Sequence, residues 1–233
     1  MAGRSPRKSE TADYVPSSGR ELARVVICDG HSAIQIALEI KIADTTGLEL
    51  GGSTNRVDEL PNLLAHIKAD VLILELTLSG AIGLDLIRNL KSSFPDLKIV
   101  VYTMYDEAIY AARAIRAGAS GYVRKQESTD VVIDAIRSVL NDQIAVTPII
   151  AEQLAHGVRD GRSRTLLHPT NILSDREMAV FQLLGEGCSL QEVARVLGVG
   201  IPEAAELQQQ AAEKLGLASI ESLVRYASRI VHQ

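Results

Sequence analysis

Short apolar runs alternate with stretches of helical periodicity between residues 24 and 140. The runs are bounded by turn residues, which is typical of strands that are covered on both faces of a sheet. The stretches between them place apolar residues three and four positions apart, which predicts amphipathic helices. The predicted strands cover residues 24–29, 48–51, 71–74, 97–103 and 120–124, and the predicted helices cover residues 33–43, 55–68, 82–90, 107–117 and 129–140. Strands and helices that alternate in this way predict a parallel sheet with helices on both faces.

Two of the predicted strands end in a carboxylate. Asp29 ends the first strand, and Glu75 follows the apolar run at residues 71–74. In open α/β sheets the loops at the carboxyl ends of the strands converge on one crevice, where ligands bind. We therefore expect Asp29 and Glu75 to face a single pocket at that edge of the sheet.

The patterning is helical throughout residues 172–233. Ser174 and Glu177 form the sequence signature of a capping box, which predicts a helix that ends near Gly185. The three helices predicted after it cover residues 190–197, residues 202–215 and the segment from Ser219 through Ile230. Two short helices joined by a glycine-containing turn are typical of a helix-turn-helix, in which the second helix enters the major groove of DNA.

Two less regular segments flank the predicted domains. Residues 1–22 are rich in Ser, Gly, Pro and charged residues, which predicts a disordered tail. Residues 144–171 are predicted to form a linker that contains one short helix, with Pro148 in its first turn. The chain is therefore expected to consist of this tail, a sheet domain at residues 23–143, the linker, and a helical domain at residues 172–233.

Composition narrows the classes of protein that remain. A chain of 233 residues is long enough for two domains. Because 46% of the residues are hydrophobic and none is Trp, we expect the cores of these domains to be aliphatic. No apolar run approaches the roughly 20 residues that a bilayer requires, and we expect a cytoplasmic protein without a membrane partner. Cys28 and Cys188 lie in different predicted domains, which argues against a disulfide framework or a metal site. The net charge of −5 gives no general attraction to nucleic acid, but it does not exclude a local basic face.

Several short motifs in the sequence match motifs that one bacterial protein family has at the corresponding positions. Residues 117–125 are close to the family's fifth-strand signature, and further matches lie at residues 173–177, 187–194, 196–199 and 214–217. On these motifs the chain resembles the two-component response regulators of the LuxR/NarL type. The resemblance implies an α/β flavodoxin-like receiver, with a five-stranded parallel sheet and helices on both faces, followed by a small all-α helix-turn-helix domain of four helices. It also implies a transcription regulator that binds double-stranded DNA as a homodimer.

The resemblance assigns roles at the edge of the sheet. Thr103 matches the hydroxyl that senses a phosphoryl group, Tyr122 matches the switch aromatic, and Lys125 matches the lysine that pairs with the phosphorylated acid. The chain departs from the family at two positions. Glu75 stands where the family has its phospho-accepting aspartate, and Gly30 replaces the second acid after the first strand.

Both departures weaken phosphoryl chemistry. Phosphoryl transfer in this family depends on Mg²⁺, which is held by carboxylates in near-octahedral geometry. With Gly30 in the acidic pair, only Asp29 and Glu75 remain as weak magnesium candidates, and we expect no resident cofactor. The extra methylene of Glu75 also displaces its carboxylate by roughly 1 Å, whereas reacting groups are held within about 0.5 Å. We expect a receiver that works without phosphorylation, in which Glu75 either imitates the phosphorylated state or only forms a buried ion pair with Lys125.

The predicted recognition helix is acidic. Between residues 202 and 215 there are three acids, Glu203, Glu206 and Glu213, against one base, Lys214. DNA affinity depends largely on neutralising phosphates, so this surface is at a disadvantage. Glutamine can read adenine edges, and linker arginines can contact phosphates. The candidate DNA contacts are therefore Gln208, Gln209, Lys214, Arg159, Arg162 and Arg164.

Three functions from different classes remain open. The first is a DNA-binding transcription regulator with an atypical receiver. The second is a protein-interaction module, in which the helix-turn-helix binds another regulator or dimerises without DNA. The third is an enzyme, which has the least support because Asp29 and Glu75 lack a nucleophile, a base and a substrate cleft. We favour the first, because both domains of the family are present in the expected order.

Overall fold

The computed structural model describes residues 21–78, 81–159 and 169–231, which form a sheet domain (residues 23–140) and a helical domain (residues 169–231). The strands are β1 (Ala23–Cys28), β2 (Leu48–Thr54), β3 (Val71–Leu74), β4 (Thr77–Leu78), β5 (Ala81–Ile82), β6 (Lys98–Thr103) and β7 (Gly121–Arg124). The helices of the sheet domain are α1 (Ser32–Ala43), α2 (Leu60–Ile67), α3 (Leu84–Ser93), α4 (Glu107–Ala117) and α5 (Thr129–Leu140). After them come α6 (Pro148–Arg159), a 3₁₀ helix (Pro169–Ile172), α7 (Asp175–Gly185), α8 (Leu190–Leu197), α9 (Ile201–Lys214) and α10 (Ile220–Val231). The disordered tail predicted at residues 1–22 lies almost wholly outside the described residues.

Five parallel strands form the central sheet in the order β2-β1-β3-β6-β7. This is the flavodoxin-like order, and the α/β architecture predicted from the sequence is confirmed. All four residues of β3 are buried, because helices cover the sheet on both faces. On one face Leu64 and Ile87 pack against the sheet, and on the other Leu38 and Ile136 do so. Each such buried side chain contributes about 1.5–3 kcal/mol through the hydrophobic effect.

A two-stranded antiparallel hairpin follows β3, and the sequence pattern did not predict it. Strands β4 and β5 pair through Thr77 with Ile82 and through Leu78 with Ala81. The backbone N–H of Gly83 donates to the carbonyl of Leu76 at 2.6 Å and closes the base of the hairpin. Strands of two residues carry no periodicity that a pattern could reveal. The hairpin matters for the site because it begins two residues after Glu75.

The segment after α5 packs along the edge strand β7. The carbonyl of Ala145 accepts from the backbone N–H of Tyr122 at 2.8 Å, and the N–H of Ala145 donates to Ser120 at 3.0 Å. Helix α6 begins at Pro148, close to its predicted start, and buries Ile150. These contacts cover the outer edge of the sheet, where unpaired backbone groups would otherwise be exposed.

The helices of the helical domain begin and end within one residue of their predicted bounds. Ser174 and Glu177 form the predicted capping box of α7, and Ser189 and Glu192 form a second one at α8. The turn between α8 and α9 places Gly198 at φ +66°, a conformation that glycine adopts without strain. The core of the domain includes Phe181, Val193, Ala211, Leu223 and Ala227. Over the stretches of chain that the structure describes, none of the helices has the length and apolarity that a bilayer crossing requires.

Substitution of Gly185 by Ala is expected to destabilise the helical domain. A Cβ atom at this position would lie 2.6 Å from a methyl group of Val231 and 2.9 Å from the backbone of Ala227, so α7 and α10 would have to separate. Overpacking of this kind costs about 1–3 kcal/mol. Urea denaturation followed by far-ultraviolet circular dichroism measures the loss. The matched control is Gly30→Ala, where a Cβ meets no atom within 4 Å; equal effects of the two substitutions would contradict this account.

Candidate functional site

Four strands of the sheet deliver polar side chains to one edge. Asp29 follows β1, Glu75 follows β3, Thr103 ends β6 and Lys125 follows β7. The backbone N–H of Lys125 donates to the carbonyl of Thr103 at 2.8 Å, which continues the pairing of β6 and β7. Because parallel strands all end at this edge, the four side chains are brought into a single pocket.

Lys125 lies between the two carboxylates of the pocket. Its Nζ atom is 2.5 Å from Oδ2 of Asp29 and 2.6 Å from Oε2 of Glu75. The lysine side chain is 2% exposed, and the two acid side chains are 2% and 5% exposed. Water therefore screens this interaction very little. Both contacts of Lys125 are therefore buried ion pairs.

The other oxygen of Glu75 is also occupied. Oε1 accepts a hydrogen bond from the Thr103 hydroxyl at 2.6 Å and one from the backbone N–H of Thr77 at 3.1 Å. Glu75 thus contacts both residues that the family resemblance links with a phosphoryl group, Thr103 and Lys125. The hairpin after β3 supplies the Thr77 donor, so an element that the sequence did not reveal helps to orient the carboxylate.

His31 belongs to the pocket and was not among the residues singled out from the sequence. Its backbone N–H donates to Oδ1 of Asp29 at 2.8 Å, and its Nδ1 atom lies 3.1 Å from the same oxygen. The imidazole is 67% exposed and its Nδ1 is 3.3 Å from Nζ of Lys125. The signal was its position two residues after the strand-ending acid, because such a spacing lets a backbone N–H reach that side chain.

Tyr122 is bonded through its hydroxyl to the backbone of the loop after β6. The hydroxyl donates to the backbone carbonyl of Tyr105 at 3.0 Å, in the loop between β6 and α4. The side chain is buried, and burial raises the pKa of Tyr122 well above its ordinary value. The residue matched to the switch aromatic is therefore fixed to the loop that follows Thr103.

Cys28 is part of the core of the sheet domain. It is completely buried, and burial raises the pKa of its thiol to about 12. The thiolate is the reactive form of cysteine, and at neutral pH it is not populated under such a shift. Both Cys28 and Cys188 are outside any disulfide.

Helix α9 presents few of the predicted DNA contacts. Gln208 is 9% exposed and lies on the inner side of the helix. Gln209 is exposed, but its amide donates to Glu213 at 3.0 Å. Nζ of Lys214 lies 2.8 Å from both carboxylate oxygens of Glu177 in the α7 capping box.

Of the three linker arginines that were predicted to contact DNA, the structure describes only Arg159. Arg159 is the last residue of α6, and Arg162 and Arg164 lie outside the described residues. The exposed residues of α9 itself include two acids, Glu206 and Glu213.

Residues 25–137 match the response regulator receiver domain family. This part of the chain is a response regulator receiver domain. It is 27% identical to Response regulator GacA of Pseudomonas aeruginosa, over 89% of this chain and 96% of the relative. It is 28% identical to Oxygen regulatory protein NreC of Staphylococcus carnosus, over 88% of this chain and 96% of the relative.

Solved structures of response regulators share the whole architecture. RcsB from Salmonella enterica serovar Typhimurium, bound to promoter P1flhDC in the presence of the phosphomimetic BeF3⁻, has a TM-score of 0.68 and 25% identity. The match covers 89% of this chain and 98% of the RcsB chain. Because the superposed region includes both domains, the predicted fold is confirmed, including a helix-turn-helix domain after the receiver.

The resemblance to response regulators implies a magnesium site at this pocket. The residues present do not fit a bound magnesium ion. Asp29, His31 and Glu75 offer ligand atoms within 4.8 Å of one another. However, the ammonium group of Lys125 lies against both carboxylates, where a metal ion would have to neutralise them. Gly30 supplies no further oxygen ligand, and Mg²⁺ requires nearly octahedral oxygen coordination.

Loss of the Lys125 charge is expected to destabilise this protein strongly. In Lys125→Met the carboxylates of Asp29 and Glu75 remain buried without a cation, which costs about 3–5 kcal/mol. Urea denaturation at pH 7 gives the change in the free energy of unfolding. The matched control is Lys98→Met, which breaks the exposed ion pair with Asp142 and costs about 1 kcal/mol or less. A loss in Lys125→Met no larger than that of the control would show that the buried ion pair contributes little.

Proposed function

We propose that this chain is a transcription regulator of the LuxR/NarL type whose receiver works without phosphorylation. The observation that carries the proposal is the bridging position of Lys125 between Asp29 and Glu75. In aspartyl phosphorylation a bound metal ion neutralises the developing charge while a carboxylate accepts the phosphoryl group. Here a side chain of the protein already neutralises the acceptor position.

Glu75 acts as a permanent substitute for the phosphorylated acid. Its carboxylate contacts the Thr103 hydroxyl at 2.6 Å as well as Lys125, and an ion pair alone would not require the first contact. The geometry thus supports imitation of the phosphorylated state over an ion pair without a signalling role. The same contacts occupy the polar groups of the pocket, which supports a regulator that has no catalytic activity.

The helical domain acts on DNA. Both named relatives are regulators by their printed descriptions, and the RcsB structure described above is bound to a promoter. By analogy, this chain binds double-stranded DNA as a homodimer through α9. Gln209 supplies a contact from the helix, and Arg159, Arg162 and Arg164 supply contacts to phosphates.

The acidic face of α9 favours a second candidate function. Glu206 and Glu213 are exposed, and Lys214 is engaged with Glu177 instead of being available for a phosphate. A helix with this charge is suited to a partner protein with a basic surface, because DNA repels carboxylates. In this alternative the domain binds another regulator and does not bind DNA.

Acetyl phosphate with Mg²⁺ is expected to leave the wild-type protein unmodified, as measured by intact mass. Gly30→Asp combined with Glu75→Asp restores the family's acidic set, and a Cβ at Gly30 meets no atom within 4 Å. This double variant is expected to take up one phosphoryl group, because the shorter acid and the added oxygen ligand allow the metal to bind.

The matched control for that experiment is Gly30→Asp with Glu75→Asn, which has the added ligand but no acceptor and should stay unmodified. A stoichiometric, base-labile adduct on Glu75 of the wild-type protein would contradict phosphorylation-independent action.

Binding to a pool of random duplexes, at low and at near-physiological salt, separates the two candidate functions. If α9 faces DNA, Glu206→Gln and Glu213→Gln should each raise affinity about fivefold at low salt, because a pair of charges near 4 Å contributes about 1 kcal/mol in water. The gain should shrink as salt increases.

Glu221→Gln on α10 is the matched control, since it makes the same change in net charge at another exposed position. Enrichment of a two-fold symmetric site supports a dimeric DNA-binding regulator. Absence of binding at both salt concentrations, together with no effect of the α9 variants, would favour the protein-interaction function.

A further inference from the structure

A cavity of about 420 Å³ lies beside the edge strand β7. Its walls come from β7, from α5, from the first residue of α4 and from the segment that leads into α6. Sites for small molecules in proteins have volumes of about 300–1,000 Å³. A cavity of about 150 Å³ holds one benzene molecule, so on the order of fifteen non-hydrogen atoms fit into this one. The cavity is thus large enough for a metabolite of low mass.

Part of the cavity wall is apolar. Val123 and Ala135 are buried, and Ala145 and Val146 are partly buried. Val131 also lines the cavity, and it is 39% exposed although its side chain carries no polar group. A ligand with an apolar part would remove this surface from water, which is favourable.

Arg124 brings an unpaired positive charge to the same cavity. Its Nε atom is buried and has no hydrogen-bond partner among the residues that the structure describes. Within residues 21–78, 81–159 and 169–231, its guanidinium forms no ion pair either. A partly buried guanidinium usually has a carboxylate or carbonyl partner, because it has lost part of its hydration. Arg124 is therefore available for the carboxylate of a ligand, which a guanidinium binds through two parallel hydrogen bonds.

Three acids line the cavity without pairing with Arg124. Asp134 lies 3.8 Å from an exposed arginine of its own helix, and Glu107 accepts a hydrogen bond from the hydroxyl of Thr147 at 3.1 Å. Glu127 is exposed, and its carboxylate has no hydrogen bond or ion pair with any other residue in the described ranges. The cavity therefore contains a cation and an anion that are both unpaired and do not contact each other.

We propose that this cavity binds a free amino acid with an apolar side chain. Arg124 binds the carboxylate, Glu127 and Asp134 attract the ammonium group, and Val131 and Val146 cover the side chain. A ligand with a carboxylate alone would meet three acids, and a ligand with an amine alone would leave Arg124 unpaired, so the cavity favours a zwitterion. The site is separate from the pocket of Lys125, and its existence does not depend on the proposed function.

Calorimetric titration of the full-length protein with leucine, methionine, phenylalanine and glycine tests the proposal. At least one of the three apolar amino acids is expected to bind with a dissociation constant below about 1 mM. Glycine has both charges but no side chain, and it should bind about tenfold more weakly or worse because it covers no apolar wall. If none of the three apolar amino acids binds in this range, the proposal is overturned.

Derivatives of the amino acid that binds test the two charges on the unaltered protein. The N-acetyl derivative lacks the ammonium group, and the amide lacks the carboxylate. Each is expected to bind about tenfold more weakly or worse, because one charge-assisted contact is lost. Equal affinity of the amino acid and either derivative would contradict recognition of a zwitterion. This comparison decides the question even if a substitution in the cavity prevents folding.

Substitutions identify the residues that bind the ligand. Arg124→Gln and Glu127→Gln are each expected to weaken binding about tenfold or more, since each removes one charged partner. The matched controls are Arg116→Gln and Glu221→Gln, which make the same changes in charge at exposed positions outside the cavity. If Arg124→Gln folds, as shown by circular dichroism, and binds as tightly as Arg116→Gln does, the assigned role of Arg124 is wrong.

Amide resonances of the full chain locate the bound amino acid. Those of Val123, Arg124 and Val131 are expected to shift when it is added, whereas those of Asp29 and His31 should not. Shifts centred on Asp29 and His31 would place the ligand in the other pocket and overturn the proposal. A phosphoryl adduct on Glu75, or the absence of DNA binding, would refute the proposed function and leave all of these outcomes unchanged.

Discussion

The buried ion pair of Lys125 with two carboxylates is the constraint on which the pocket depends. Two buried acids within reach of each other would repel, and removing each from water is costly. One lysine that contacts Asp29 at 2.5 Å and Glu75 at 2.6 Å offsets both effects. The arrangement requires β1, β3 and β7 to end at the same edge of the sheet. Fold and pocket electrostatics are thus one requirement, since the parallel sheet supplies the geometry and the lysine makes its charged edge stable.

The sequence predicted the parts of this protein that rest on local periodicity. Strand and helix patterns gave the parallel sheet, and the positions of Asp29 and Glu75 at strand ends placed them in one pocket. The hairpin after β3 could not be predicted, because strands of two residues show no alternation. The burial of Gln208 was equally hidden, since three consecutive glutamines do not show which of them faces the core. Arg113 is the clearest case, because its partners belong to another domain and charged helix residues are usually exposed.

The charge of α9 is explained in part by the needs of its own domain. Lys214 is the one base of this helix, and it contacts Glu177, which also closes the capping box of α7. Burial raises the pKa of Glu177, while the hydrogen bonds from Lys214 and Ser174 lower it by more, so the acid stays ionised beside the lysine. A positive charge that could neutralise a phosphate is thereby used to join two helices. In the proposed function, stability within the domain and affinity for DNA therefore compete for the same side chain.

In the proposed function, the permanent carboxylate of Glu75 changes what can act as an input to this protein. In a phosphorylation switch the pocket gains charge, and that gain has a differential effect on two states of the protein. In the proposed function the charge is built in, so a signal must alter the balance of states elsewhere. The interface of α4 with α7 is suited to this, because Arg113, Tyr110 and Gln182 are buried there and each has a partner across it. A partner that competes for Asp175 would have differential affinity for the docked and undocked states, which is the thermodynamic condition for control without phosphate.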